Sequence, residues 1–219
     1  MIEPAKVPSP EQLAAADRIY GLAVEWQQID RALYLLAERV GGYSSEAVLL
    51  KATAINSLYS TNVYAIVRVA EFMAGVLSKE ALDEAGPELV EKLANVPKGG
   101  SEKKARRRHS FASKFAHFFI NPNRFPILDR FTEEMVRRHL GGGATGEDQG
   151  RYVTFARGID RLRAMVVPHP SNADLDHYLL IAGQYYEWMA KDENAAIGSE
   201  MKAIFRKGGE DLRRLLPEP

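Results

Sequence analysis

The sequence predicts an all-α protein. Apolar residues recur at three- and four-residue spacings through most of its 219 residues. Gly and Pro clusters interrupt those runs at intervals suited to helix ends, and no alternating run of β-branched residues is long enough to claim a sheet.

Leu13, Ala16, Ile19, Tyr20, Ala23 and Val24 mark the first buried face, which continues through Leu33, Leu36 and Val40 to Gly41-Gly42. Ser44-Ser45-Glu46 restarts a helix with capping chemistry, and Val48, Leu49, Ala52 and Ile55 form its apolar side. A third helix carries Ile66, Val69, Ala70, Met73 and Val76. Pro87 suits the first turn of a fourth, with Leu89, Val90 and Leu93 inside and Pro97, Gly99 and Gly100 as the stop. A basic segment, a Phe-rich helix and a Pro-containing loop (Asn121 to Pro126) follow. A helix near Thr132 to Leu140 ends at Gly141-Gly142-Gly143, and further helical stretches fall near 148–167, 173–191 and 197–215. The chain reads as one all-α domain over 1–219 or as two tightly packed helical subdomains, with 141–146 as the flexible point.

Composition excludes several classes. Hydrophobic residues make 46 % and charged residues 26 %, so a disordered chain is ruled out. There is no cysteine, which removes disulfides, thiolate metal sites and Cys nucleophiles. The N-terminal residues lack the pattern of a secretory signal, and no apolar run is long enough to span a membrane, so a cytoplasmic protein without a membrane partner is expected. None of the five histidines has zinc spacing backed by a carboxylate, and 141–146 lacks the lysine of a phosphate-binding loop. No metal or cofactor is expected. Tyr178, Tyr185, Tyr186 and Trp188 read as core packing on one helix.

The formal net charge is zero, with 29 basic and 29 acidic residues, but the charge is segregated. Residues 1–97 hold 8 basic and 13 acidic residues, net −5; residues 98–139 hold 11 and 4, net +7; residues 140–219 hold 10 and 12, net −2. The basic island centres on Lys98, Lys103, Lys104, Arg106, Arg107, Arg108 and His109. Phosphate binding needs local rather than global positive charge. The plainer reading is a solvated basic helix start. That placement opposes the helix dipole, which an external anion would relieve.

Lys114 follows directly. Phe111, Phe115, Phe118 and Phe119 share a helix face, with Lys114 at its rim and His117 on the polar side. An apolar wall desolvates an amine and favours its neutral, nucleophilic form; a lysine merely covering apolar surface is the plainer alternative. Downstream, Pro126 fixes a turn, Ile127 and Leu128 anchor it, and Asp129 stands at the next helix start, either as a plain N-cap or as a functional carboxylate.

These residues resemble the helix-hairpin-helix DNA glycosylase superfamily, which includes endonuclease III and 8-oxoguanine glycosylase. That family carries a Gly-x-Gly-x-Lys-x-Ala hairpin before a helix and then an Asp that opens another helix. Here Ser110-Phe111-Ala112-Ser113-Lys114-Phe115-Ala116 stands at the hairpin and Phe125-Pro126-Ile127-Leu128-Asp129 at the Asp segment. Ala54 to Thr61 resembles the earlier helix end that supplies a residue wedged into DNA. The resemblance runs from about Leu49 to Leu140, and its wording is nearer to bacterial relatives than to the well-studied enzymes. Both hairpin glycines are replaced, by Ser110 and Ala112, and Lys114 and Asp129 lie closer in sequence than the family usually has them.

The resemblance implies a base-excision glycosylase acting on double-stranded DNA, with a flipped nucleotide and a lysine Schiff-base lyase step. Lys114 would attack the sugar C1′, and Asp129 would stabilise developing charge or activate the amine. Tyr59, or its neighbours Ser60, Thr61 and Asn62, would fill the gap in the duplex. Lys103, Lys104, Arg106, Arg107 and Arg108, with Ser110 at the hairpin end, would face phosphates. The alternative expectation is a non-catalytic helical module that binds nucleic acid or protein on the same scaffold.

Overall fold

Ser9 opens the first helix. Its hydroxyl accepts the Gln12 amide at 3.2 Å, and the Gln12 side chain accepts the Ser9 amide at 2.8 Å, so two otherwise orphaned donors are satisfied reciprocally. The computed structural model describes residues 7–98, 101–141 and 150–216, with backbone alone at 98 and 101–107. Among the described residues there are eleven α-helices and one two-stranded hairpin, so the fold is all-α. No described helix is long and apolar enough to cross a membrane.

The helices divide into two units. One gathers the described residues of Met1–Gln28, Asp129–Gly146 and Arg157–Pro219; the other gathers those of Ile29–Leu128 and Glu147–Ala156. In the first, α9 (Asn172–Lys191) is the axis on which α1 (Pro10–Tyr20), α7 (Arg130–Leu140), α10 (Ser199–Lys207) and α11 (Glu210–Leu215) pack. The α7–α9 approach is close because residue 183 is glycine: a Cβ there would lie 2.9 Å from the Phe131 carbonyl oxygen and from Phe131 Cβ. The α1–α11 seam is closed by Gln12 Nε2 donating to the Leu215 carbonyl and by the Arg18–Asp211 ion pair at 2.6 Å. Tyr178 and Trp188 are buried there, as the aromatic helix face requires.

In the second unit α6 (His109–Phe119) is central. Its four phenylalanines are all buried, each contributing about 1.5–3 kcal/mol of transfer free energy. Helix α3 (Ser45–Leu58) packs on α6 and on α4 (Ile66–Leu77); α5 (Glu88–Ala94) packs on α4 and α6. The remaining part of α2 (Val24–Arg39) and the start of α8 (Arg151–Met165) complete the unit. Glu91 ties three elements together. Its Oε2 meets His109 Nε2 at 2.7 Å, and its Oε1 accepts the Tyr152 amide that opens α8.

Three expectations about elements are corrected. The face expected to run unbroken from Leu13 to Val40 is interrupted after Tyr20, because Gln27 Nε2 donates to the Tyr20 and Gly21 carbonyls (3.1 Å each) and so satisfies the acceptors that a break exposes. The stretch expected near 197–215 splits at Gly208 and Gly209, whose φ values of +69° and +136° suit glycine and end α10. The basic segment is not a helix start. It is strand β2 (Ser101–Arg107), paired antiparallel with β1 (Asn95–Lys98) in the register Asn95 to Arg107 and Val96 to Arg106. Of the Gly-rich stretch 141–146, only Gly141 falls within the described residues; there it caps α7 in the left-handed conformation.

Candidate functional site

Lys114 is a buried lysine of the second unit. Only 5 % of it is exposed, although it carries an ammonium-forming side chain on the rim of the Phe face. Its Nζ donates to Ser110 Oγ at 2.9 Å, one helical turn earlier, and lies 5.2 Å from the centre of the Tyr59 ring. The i, i+4 spacing of Ser110 and Lys114 follows from the helix period.

Three elements converge on this amine. Asp30 and Tyr34 lie one turn apart on α2. Tyr59 caps the end of α3 and donates its hydroxyl to Asp30 Oδ1 at 2.8 Å. Its ring lies 5.9 Å from that of Phe118, which also meets Tyr34 edge-on at 5.1 Å. The Asp30 carboxylate is thus joined through one phenol to the ring against Lys114.

His117 sits one turn beyond Lys114 and completes the cluster. Its Nδ1 is 3.0 Å from the Phe125 carbonyl oxygen, and its Nε2 is 3.2 Å from the Tyr34 hydroxyl. A carbonyl oxygen only accepts, so Nδ1 carries the proton. Burial holds the imidazole below its ordinary pKa of 6.5; the Phe125 carbonyl and Asp30 oppose that shift, and the Lys114 charge adds to it. The ring is therefore neutral at pH 7, and its Nε2 lone pair accepts from Tyr34.

The loop after α6 is fixed from several sides. Ser113 Oγ accepts the Leu128 amide at 3.1 Å, Tyr152 donates to the Pro126 carbonyl at 2.9 Å, and Arg124 donates to the carbonyls of Leu82 and Ala85. Ile127 and Leu128 are buried, as expected of anchors. Asp129 then belongs to the first unit, where it is the N-cap of α7. Its Oδ1 accepts the amides of Phe131 (2.8 Å) and Thr132 (2.9 Å), and the Thr132 hydroxyl accepts the Asp129 amide.

The segment Tyr59 to Asn62 is a sharply reversed loop. Ser60 and Asn62 hold φ of +47° and +55°, a region L-residues avoid. Asn56 holds the loop in place: its Oδ1 accepts the Val63 amide (2.8 Å) and the Thr61 hydroxyl (2.9 Å), and its Nδ2 donates to the Val63 carbonyl (3.1 Å). Strain of this kind persists only where surrounding structure imposes it. Tyr59 is half-buried and occupied with Asp30 and Phe118, whereas Ser60 and Asn62 are exposed, Thr61 is half-exposed, and Tyr64 is 86 % exposed just beyond them.

Lys103, Lys104, Arg106 and Arg107 have their backbone in β2, and their side chains lie outside the described residues. Arg108 is half-exposed at the start of α6, with its amide bonded to the Ala94 carbonyl, and Ser110 is half-exposed and receives Lys114. Among the described residues no group of three His, Asp or Glu is placed to hold a metal ion. A second buried lysine, Lys51, donates to the Gly42 carbonyl at 2.9 Å over the Tyr43 ring, and burial lowers its pKa. Sequence reasoning missed Asp30, Tyr34, Lys51 and Tyr64. The spacing of Asp30 and Tyr34 on one helix face was the available signal for the first two.

A family model described as an N-terminal domain, HI_0787_N, matches residues 16–124. That range contains Asp30, Tyr34, Tyr59, Ser110, Lys114 and His117 and stops before Asp129. An uncharacterized protein of Haemophilus influenzae is 37 % identical over 92 residues, which is 42 % of this chain and 44 % of that protein. The chain thus matches less than half the length of this curated relative. No solved structure matches.

Proposed function

We propose that the chain is a base-excision enzyme of the DNA glycosylase and abasic-site lyase type, acting on double-stranded DNA in the cytoplasm with Lys114 as nucleophile. The observation that carries this reading is the buried Lys114 amine, set against a hydroxyl and an aromatic ring, with a carboxylate and a neutral imidazole in the same cluster. A lysine amine placed in this way is a nucleophile toward carbon once deprotonated. The basic segment that leads into α6 supports a phosphate-rich partner, and the imposed left-handed loop with exposed Ser60, Asn62 and Tyr64 supports insertion into a distorted duplex.

Borohydride reduction in the presence of a duplex bearing one abasic site tests the nucleophile. A covalent protein–DNA adduct is expected from the wild type and from Lys51→Met, which removes the other buried amine. Lys114→Ala should give none while keeping its circular dichroism. An adduct that persists in Lys114→Ala would assign the chemistry elsewhere.

A second reading, a non-catalytic nucleic-acid- or protein-binding module, is favoured by Asp129, whose Oδ1 is committed to capping α7. It predicts that Lys114→Ala and Asp129→Ala leave duplex affinity unchanged and that no adduct forms.

A further inference from the structure

We infer that two copies of this chain pair antiparallel through the outward face of α4, with Tyr64 of each copy seated on Gly75 of the other. The pairing does not rest on the Lys114 reading. Helix α4 buries Val69, Ala70, Met73, Ala74 and Leu77 and packs on α3 and α5. Its opposite side is uncovered. Tyr64, which immediately precedes the N-cap Ala65, is 86 % exposed, and Val67 is 54 % exposed. Arg68, Glu71 and Gly75 are exposed as well, and the helix period sets these three in one row. Among the described residues, the side chains of Tyr64, Arg68 and Glu71 make no hydrogen bond, ion pair or ring contact.

Nothing within the chain requires glycine at Gly75. Its backbone is not left-handed, unlike that of Gly42 and Gly141, and a Cβ built on it would meet nothing within 4 Å. A glycine inside a helix lowers helix stability relative to alanine. A group approaching from outside gives the bare backbone a use, because a ring can lie close against it. The pattern points to a second copy rather than to an unrelated partner. An isologous contact is self-complementary: where one residue meets another, the second copy repeats the meeting in reverse. Arg68 and Glu71 are opposite charges, and Tyr64 and Gly75 are a protrusion and a gap. Both pairs share one midpoint, between Val69 and Ala70. A twofold axis at that point sets Arg68 against the partner's Glu71 and Tyr64 on the partner's Gly75, each contact occurring twice. Val67 flanks the row and adds apolar area, while the charges fix the register. One helix and its lead-in cover less than the roughly 800 Å² per partner of a standard interface, so the dimer is weak and concentration-dependent. Where a duplex takes up Tyr64, the second copy must leave it.

Sedimentation equilibrium of the full chain without DNA, from micromolar to millimolar concentration, should show the mass rising from one chain towards two. Gly75→Leu should weaken association by about tenfold or more, because its side chain fills the seat of the partner's Tyr64. The same variant should melt no lower than wild type at micromolar concentration, since the space is open within the chain. Arg68→Glu or Glu71→Arg alone sets like charges together and should weaken association by about tenfold; the two reversals combined should restore it to within about threefold of wild type. A Gly75→Leu protein that associates as tightly as wild type overturns the pairing, and so does a double reversal no better than the single ones. A wild type that stays at the mass of one chain at millimolar concentration also overturns it, and if Tyr64→Ser then loses duplex affinity, the face belongs to nucleic acid instead.

Discussion

Lys114, Lys51 and His117 show how one helical unit treats three buried nitrogens differently. Lys51 meets a backbone carbonyl and two aromatic rings, which is a packing role. Lys114 meets a hydroxyl and a ring next to other titratable groups. His117 is held neutral by burial, and that has a measurable consequence for stability. Its folded pKa lies below the ordinary 6.5, so the unfolded chain takes up the proton first as pH falls. Stability should therefore be full above about pH 6.5, decline below it, and level off beneath the depressed folded value. Denaturant midpoints across that window should show a slope in wild type that His117→Asn lacks; equal slopes would remove the linkage. Lys114 and the Phe face were legible in the sequence because they lie on one helix, where the 3.6-residue period fixes neighbours. Asp30 and Tyr34 were not, because their meeting with α6 depends on pairings more than eighty residues apart for Tyr34 and His117. The resemblance points Tyr59 at DNA, yet its hydroxyl and ring are taken up inside the unit.

At the scale of elements, helices were legible and their interruptions less so. Capping residues announced α3 and α7: Ser44 accepts the Ala47 amide, and Asp129 accepts two. The break after Tyr20 depends on a side chain seven residues downstream reaching back, which no local propensity encodes. The basic run pairs as a strand because Asn95 to Lys98 lie opposite it, with Val96 buried beneath. Strand identity here is set by a partner rather than by composition. The loop after α3 makes a sharper prediction. Asn56→Ala should cost about 1–3 kcal/mol by leaving the Val63 backbone groups unsatisfied, read as a lower urea midpoint. Asn62→Gly should be neutral or stabilising, since glycine adopts φ near +55° freely, while Asn62→Val should destabilise. A stabilised valine variant would show the loop to be unstrained.

Across the whole chain, a formal charge of zero conceals a +7 segment offset by acidic residues on both sides. If the proposed DNA-binding reading holds, duplex affinity should fall steeply with salt. The charge reversal Arg106→Glu with Arg107→Glu should reduce the slope of log affinity against log salt by about 0.9 for each phosphate that the variant no longer neutralises. An unchanged slope would place the phosphate-binding cations elsewhere. The matched family range, residues 16–124, covers the Lys114 cluster but little of the first unit, whose helices come mainly from the second half of the chain.

The packing of α1 on α9 and α11 has a consequence in time. The ribosome delivers Leu13, Ala16 and Ile19 well before α9 and α11, which begin at Asn172. At common bacterial or eukaryotic synthesis speeds that is a wait of roughly ten to thirty seconds. During it the second unit acquires nearly all of its sequence while α1 waits for α9 and α11. Order of synthesis and order of packing therefore differ: α1 is made well before the helices that secure it, and a nascent-chain chaperone could meet its apolar stripe before they arrive.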